Sequence, residues 1–139
     1  DSLDLEWTER FDPDTPYKAA ALSDGTLRFA CLCTLLLQPE ELLPHTVLLD
    51  EPELGLHPYA LNVLGDLLRR ASEDRQLIVS TQSADLLNTL QPEDVVVVDR
   101  IDGASSFRRL DGTSLVSWLE DYSLGDLWKS NVLGGRPRG

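Results

Sequence analysis

The sequence is poor in lysine, histidine and cysteine, and each shortage narrows the classes of protein to which the chain can belong. Two of each occur among 139 residues. His45 and His57 are too few and too poorly placed for a zinc site, which usually takes four ligands. Cys31 and Cys33 lie two apart in an apolar segment, where on a helix they point to different faces and cannot pair. We therefore expect buried, reduced thiols in a cytoplasmic protein.

Long apolar runs and excess positive charge are also absent from the sequence. No run approaches the roughly 20 apolar residues of a membrane helix, so we expect no membrane partner. Acidic residues number 24 against 12 basic ones, which gives a net charge of −12. This surplus disfavours nucleic acid and anionic lipid as direct partners of this chain. Its length and its 42% of hydrophobic residues fit one ordinary globular domain.

Strand and helix patterns alternate through the middle of the chain, which predicts an α/β fold with a parallel sheet. Residues 12–16 hold two prolines and are predicted as a loop, and Asp102-Gly103 as a hairpin turn. Ser23 or Asp24 is expected near the cap of a buried helix. Strands are predicted at 3–7, 46–49, 76–80, 95–98 and 106–110, and helices at 27–37, from Pro58 to about residue 71, and at 83–90, 113–122 and 124–129.

Two adjacent acids, Asp50 and Glu51, follow the apolar strand at 46–49. Such a pair suits a hydrated Mg²⁺ for the first acid and an oriented or deprotonated water for the second. Taken alone, the pair is more typical of a solvated acidic turn. Residues 22–26 at a helix start predict an anion site, and residues 80–83 end the next strand, although both also fit plain helix caps. Polar ends of neighbouring strands are expected to meet at one edge of the sheet.

Together these segments resemble the motifs of ABC-type ATPases, in the form found in the SMC, RecF and OLD-like group of predicted AAA ATPases. LSDGTLR at 22–28 resembles the signature motif, and VLLDEP at 47–52 resembles the Walker B strand. ELGLHP at 53–58 is similar to the D-loop, and STQS at 80–83 falls where this family places its switch histidine. The resemblance covers about residues 20–100 and implies a P-loop NTPase-like sheet with ATP and Mg²⁺ as ligands.

The resemblance implies a role for each residue near the nucleotide's γ-phosphate. Asp50 would hold Mg²⁺ through water, and Glu51 would be the catalytic base. Gln82 would take the place of the switch histidine. Glutamine can hydrogen-bond a phosphate or a water but cannot carry positive charge, so hydrolysis is expected to be slow or differently controlled.

The resemblance also implies a dimer in which two heads enclose two nucleotides. Ser23, Asp24 and Gly25 would contact the γ-phosphate of a nucleotide held mainly by the partner head. Gly55 and His57 would lie in the D-loop at the dimer interface. For His57, a packing role ahead of a proline-led helix is an equally open alternative.

One motif of the family is missing from the chain. No Gly-x-x-x-x-Gly-Lys-Ser/Thr occurs, so the phosphate-binding loop that lies upstream in relatives is absent. We therefore expect the carboxyl-terminal portion of an ATPase head, inactive alone, with an open parallel edge and a missing N-terminal ATPase segment as partner. DNA could be contacted only through other regions. We divide the chain into an N-terminal strand and loop at 1–19, an ATPase core at 20–100, and a hairpin, short helices and a loose tail at 101–139.

Two other interpretations stay open at this point. A response-regulator receiver domain phosphorylated at Asp50 has a similar length and a similar alternation of strands and helices, but it needs a lysine after its last strand, where Val98 is followed by Asp99-Arg100. A non-catalytic, degenerate ATPase module would explain Gln82 and the missing phosphate loop.

Overall fold

The computed structural model describes residues 4–135, which form a mixed α/β fold. The strands are β1 (Glu6–Glu9), β2 (Asp12–Lys18), β3 (Thr46–Asp50), β4 (Gln76–Ser80), β5 (Val96–Ile101) and β6 (Ala104–Arg109). The helices are α1 (Asp24–Leu36), α2 (Pro58–Ala71), α3 (Ala84–Leu87), α4 (Gly112–Leu119) and α5 (Leu124–Lys129). Across residues 4–135 no helix combines the length and the apolar content that crossing a bilayer requires.

The centre of the fold is the parallel pair of β3 and β4, which confirms both predicted strands. Their register runs from Thr46 opposite Gln76 to Asp50 opposite Ser80. Leu49, Leu77 and Val79 pack against the helices on the inner face. The apolar sequences of these strands favour burial on both faces, but the outer face is open, because in the described part of the chain this sheet has two strands and no layer covers that side. Leu48 is 73% exposed and Ile78 is 49% exposed there.

Helices α1, α2 and α3 cover the inner face of the β3–β4 pair. The predicted apolar face of α2 is confirmed, and Arg69 and Arg70 face solvent. The expectation of a buried α1 is wrong, because only Leu32 and Leu36 of this helix are buried among the described residues. Cys31 is accordingly exposed, and both cysteines are free thiols. The buried residues of this cluster, called here the site-side core, are Leu32, Leu36, Leu64, Leu68, Ala71 and Leu86.

The carboxyl-terminal part of the described chain has a core of its own. Strands β5 and β6 form an antiparallel hairpin whose two-residue turn, Asp102-Gly103, has positive φ at both positions, as predicted. Strand β5 pairs with β6 and not with β4 among residues 4–135. The buried residues of this cluster, called here the C-terminal core, are Leu87, Val97, Leu110, Leu115, Leu124, Leu127 and Leu133.

The amino-terminal hairpin corrects the predicted loop at 12–16, which is strand β2 and pairs antiparallel with β1. Pro13 and Pro16 are tolerated because a two-stranded hairpin leaves one edge of β2 without backbone partners, and proline is permitted on an edge strand. The ladder is irregular between Trp7 and Glu9, and the rings of Trp7 and Tyr17 stack with centroids 5.0 Å apart. The predicted strand at 3–7 begins instead at Glu6 within the described residues, and Leu3 lies outside them.

A side-chain cap sets the start of each of the five helices. Ser23 caps α1 as predicted, by accepting a hydrogen bond from the Thr26 N–H. Asp111 caps α4, which therefore begins at Gly112, one residue before the helix predicted at 113–122, and ends earlier, at Leu119. Helix α3 starts as predicted but ends at Leu87, and α5 matches its predicted range. The tail that we expected to be loose lies mostly outside the described residues.

Candidate functional site

The polar ends of β3 and β4 meet at one edge of the sheet. Asp50 and Ser80 are paired in the parallel register, and the Ser80 hydroxyl donates a hydrogen bond to Asp50 Oδ1. Both side chains are exposed at the carboxyl ends of their strands. This confirms the predicted closeness of the acid pair and residues 80–83, because parallel strands in register end on the same side.

Glu51 turns the chain immediately after β3. Its φ of 43° lies in the left-handed region, which a glutamate adopts at a cost in free energy. The Glu51 N–H donates to the Ser80 carbonyl at 2.9 Å, which extends the strand pairing by one residue. Gln82 Nε2 donates to Glu51 Oε1 at 3.4 Å. The two residues assigned to catalysis from the sequence therefore lie side by side.

A third pair across the same two loops was not singled out from the sequence. The Thr81 hydroxyl donates to Glu53 Oε1. Glu53 Oε2 is buried and has no hydrogen-bond partner among the described residues. Glu53 belongs to ELGLHP and Thr81 to STQS, but no sequence signal pairs two positions 28 apart along the chain.

The start of α1 packs against residues 53–58. A Cβ added to Gly25 would lie 2.1 Å from the Gly55 carbonyl oxygen, which no side chain can do without moving the backbone. Gly55 itself has φ of 77°, a conformation that favours glycine. Ser23 and Asp24 are exposed beside this contact, and Ser23 Oγ lies 2.8 Å from Thr26 Oγ1. The segments that resemble the signature motif and the D-loop are thus in direct contact.

His57 begins α2 as its N-cap. Its Nδ1 accepts a hydrogen bond from the Tyr59 N–H at 3.2 Å, and the residue is exposed. The structure therefore gives His57 a capping role instead of the packing role that the sequence left open. Its assignment to a dimer interface stays a prediction.

An open groove of about 260 Å³ joins α1 to the acid pair. It places the second and third turns of α1 opposite Asp50 and Glu51, and Arg28 contributes the one positive charge of its lining. The residues that line it are Arg28, Leu32, Leu49, Asp50, Glu51, Pro52 and Leu54. The signature-like helix and the acids thus share one surface.

The donors at this edge fit Mg²⁺ better than a transition metal. Among residues 4–135, no three His, Cys, Asp or Glu side chains are grouped to hold a metal ion. Mg²⁺ needs no such cage, because it keeps several waters and takes one or two carboxylates plus phosphate oxygens. The exposed Asp50 carboxylate, with the Ser80 hydroxyl beside it, is a donor set of that kind.

Solved structures with the same fold are heads of SMC proteins. A structure from work on ATP-driven dimerisation and DNA-stimulated activation of SMC ATPases matches with a TM-score of 0.64 and 17% identity, covering 88% of this chain and 76% of the other. An Smc head bound to the C-winged helix domain of ScpA has a TM-score of 0.63 and 20% identity, over 76% of this chain and 32% of the other.

A third match is an Smc head domain with an extended coiled coil, bound to the C-terminal domain of ScpA, from Pyrococcus furiosus. Its TM-score is 0.64 at 20% identity, with 85% of this chain and 29% of the other covered. The chain thus spans about a third of the length of the two Smc heads. At these identities the likeness establishes the P-loop NTPase-like fold.

Sequence comparison gives the family. No curated protein matches the chain. A family model described as "AAA domain, putative AbiEii toxin, Type IV TA system" matches residues 6–88, which is more than half of the chain. This match contradicts the receiver-domain alternative. The chain therefore belongs to this AAA domain family and has the fold of an SMC-like ATPase head.

Proposed function

We propose that the chain is the carboxyl-terminal part of a cytoplasmic ATPase head that binds and hydrolyses Mg-ATP at a head-to-head dimer interface. The observation that carries the proposal is the meeting of Asp50 and Glu51 with Ser80 and Gln82 at one end of the parallel pair. Carboxylates and hydrogen-bonding groups at that end of a sheet suit a nucleotide phosphate and its metal.

In this proposal three side chains have separate roles in ATP hydrolysis. Asp50 would hold Mg²⁺ through water, and the bound ion would neutralise charge on the phosphate oxygens. Glu51 orients the attacking water and accepts its proton. Gln82 lies within hydrogen-bond reach of Glu51, so its amide can bridge the base, the water and the γ-phosphate. Because that amide stays neutral, it offers less stabilisation of developing phosphate charge than a histidinium would.

The start of α1 serves the partner head's nucleotide. Ser23, Asp24 and Gly25 are at the N-terminus of a 13-residue helix, where unpaired N–H groups and the helix dipole favour an anion. They adjoin Gly55 and His57, which we place at the dimer interface. Asp24 carries negative charge into this surface, so the nucleotide contact is assigned to backbone N–H groups and the Ser23 hydroxyl.

We infer that a further ATPase segment completes the head. The chain carries no glycine-rich phosphate loop with its lysine, and Leu48 and Ile78 form an uncovered apolar sheet face. A segment with further parallel strands would cover that face and supply the missing loop. The core at 20–100 is the part that it would join, and any contact with DNA is assigned to regions other than this acidic chain.

A substitution of the base tests the proposal in the protein that includes the phosphate-loop segment. Glu51→Gln should still bind ATP, lower turnover by at least about 100-fold, and trap an ATP-dependent dimer. Turnover is measured as phosphate release and dimerisation by sedimentation velocity. Glu73→Gln, an exposed glutamate beyond α2, is the matched control and should match the wild type. Normal turnover in Glu51→Gln would contradict the base assignment, and steady turnover by the 139-residue chain alone would contradict the need for a further segment.

A non-catalytic ATPase module is the second candidate, favoured by Gln82 in place of histidine. This module would differ from the proposed hydrolase in one measurable outcome, the release of phosphate. If the completed wild-type protein binds Mg-ATP and dimerises but releases no phosphate, the module interpretation replaces the hydrolase.

A further inference from the structure

We propose that Thr81 is a positioning residue that ties residues 53–58 to residues 80–83, so that Gln82, the D-loop-like segment and the start of α1 move as one unit. The mechanical link is a property of the chain itself. Its consequence for turnover rests on the function proposed above.

The Thr81 hydroxyl both donates and accepts a hydrogen bond. It donates to Glu53 Oε1 and accepts a hydrogen bond from the Ser83 N–H at 2.9 Å. Ser83 in turn caps α3, because its Oγ accepts from the Leu86 N–H at 3.2 Å. Gln82 is therefore held between two anchored neighbours, and α3 is fixed in the site-side core through the fully buried Leu86.

The Glu53–Thr81 pair differs from the two other pairs across these loops. Asp50–Ser80 and Glu51–Gln82 are exposed and involve the side chains assigned to Mg²⁺ and water, so a bound nucleotide would replace them. Glu53–Thr81 is partly buried and lies outside that chemistry. Thr81 is also the one hydrogen-bond partner of the Glu53 carboxylate among the described residues, since Oε2 has none. Loss of the Thr81 hydroxyl would leave the desolvated Glu53 carboxylate without a hydrogen-bond partner, which lowers the stability of the fold.

The other end of the unit is a contact between two backbones. The Gly55 carbonyl oxygen lies so close to Gly25 that no Cβ would fit between them. A shift of residues 53–58 toward α1 must therefore displace the first turn of that helix. In the proposed dimer, a movement of Gln82 at one nucleotide is therefore transmitted to Ser23 and Gly25, which contact the other nucleotide.

Hydrogen exchange on the 139-residue chain tests the link without any nucleotide. Thr81→Val keeps the shape but removes the hydroxyl, and should speed amide exchange about tenfold at residues 53–57 and 22–27. Thr81→Ser should restore slow exchange. Thr46→Val is the matched control, because it removes a cross-strand hydrogen bond to Gln76 at the opposite end of the same two strands. Exchange in Thr81→Val that is no faster than in Thr46→Val, or that is faster to the same extent along the whole chain, would overturn the link.

Steady-state kinetics on the protein completed with its phosphate-loop segment tests the consequence. Thr81→Val should lower kcat about tenfold with KM for ATP unchanged, because it misplaces groups that act in the transition state. Unchanged kcat in an active protein would overturn the positioning role. If the wild type shows no turnover while the exchange result holds, the proposed function fails and the link stands, so the two failures are distinguishable.

Discussion

The region around the acid pair and the carboxyl-terminal region achieve stability in different ways. Strands β3 and β4 cover the site-side core on one face and leave the other open to solvent. Strands β5 and β6 instead form an antiparallel hairpin that is closed by a two-residue turn and covers the C-terminal core, which includes the almost fully buried Leu127. The outer face of this hairpin is open as well, with Phe107 70% exposed. The chemistry thus resides on the parallel pair, whose open face and strand edges are available to a further protein segment.

Helix α3 connects the two regions in spite of its four residues. Leu86 belongs to the site-side core and its neighbour Leu87 to the C-terminal core. Adjacent side chains on this helix therefore anchor both clusters. The comparison teaches that the regions differ in how they close but share one packing element beside Gln82.

The largest expected effect tests whether the two cores unfold together. Leu64→Ala and Leu127→Ala each remove a fully or almost fully buried side chain and should lower the free energy of unfolding by about 2–5 kcal/mol. Because α3 belongs to both cores, each variant should show one transition in urea by circular dichroism and by tryptophan fluorescence. Two separated transitions in either variant would show that the regions are independent.

An intermediate effect compares two close backbone contacts, one in each region. Gly25→Ala would set a Cβ 2.1 Å from the Gly55 carbonyl oxygen, and Gly125→Ala would set one 2.3 Å from the Ala84 carbonyl oxygen. Neither backbone can yield cheaply, so both variants should lose about 1–3 kcal/mol in urea unfolding.

Gly112→Ala is the control for this pair. Its added Cβ would meet the end of the Glu93 side chain, which can rotate away, so its stability should stay near the wild type. A loss in Gly112→Ala equal to that of the other two variants would show that the cost does not come from the two backbone contacts.

The smallest expected effect is a pH dependence of the stability of the carboxyl-terminal region. Hydrogen bonds from Thr113 hold the pKa of Asp111 below its usual 3.8, and hydrogen bonds from Ser123 lower the pKa of Asp126. A lowered pKa contributes stability above the unfolded value, and this is lost as pH falls through the folded value. Asp111→Asn keeps an acceptor without titrating, so its melting temperature should fall slightly less than that of the wild type between about pH 5 and pH 2. Parallel pH profiles would contradict the cap's role.

Sequence reasoning succeeded where the evidence was local. The bounds of β3, β4 and α5, the apolar face of α2 and the turn at Asp102-Gly103 follow from periodicity and turn chemistry within a few residues. It failed where the conformation or burial of a residue depends on contacts with other segments of the chain. Residues 12–16 are a strand because β1 pairs with them, and Cys31 is exposed because it does not lie on the face of α1 that carries the buried Leu32 and Leu36.

For the site, the sequence alone determined the chemistry available: two acids after an apolar strand, a serine and a glycine at a helix start, and an amide just after the next strand. Only the tertiary structure decided which of these groups touch. The pairing of Glu53 with Thr81 and the contact of Gly25 with Gly55 join positions about 30 apart in the chain. Such contacts depend on strand register and helix packing, which arise from the summed burial of many side chains and leave no periodic trace in the sequence.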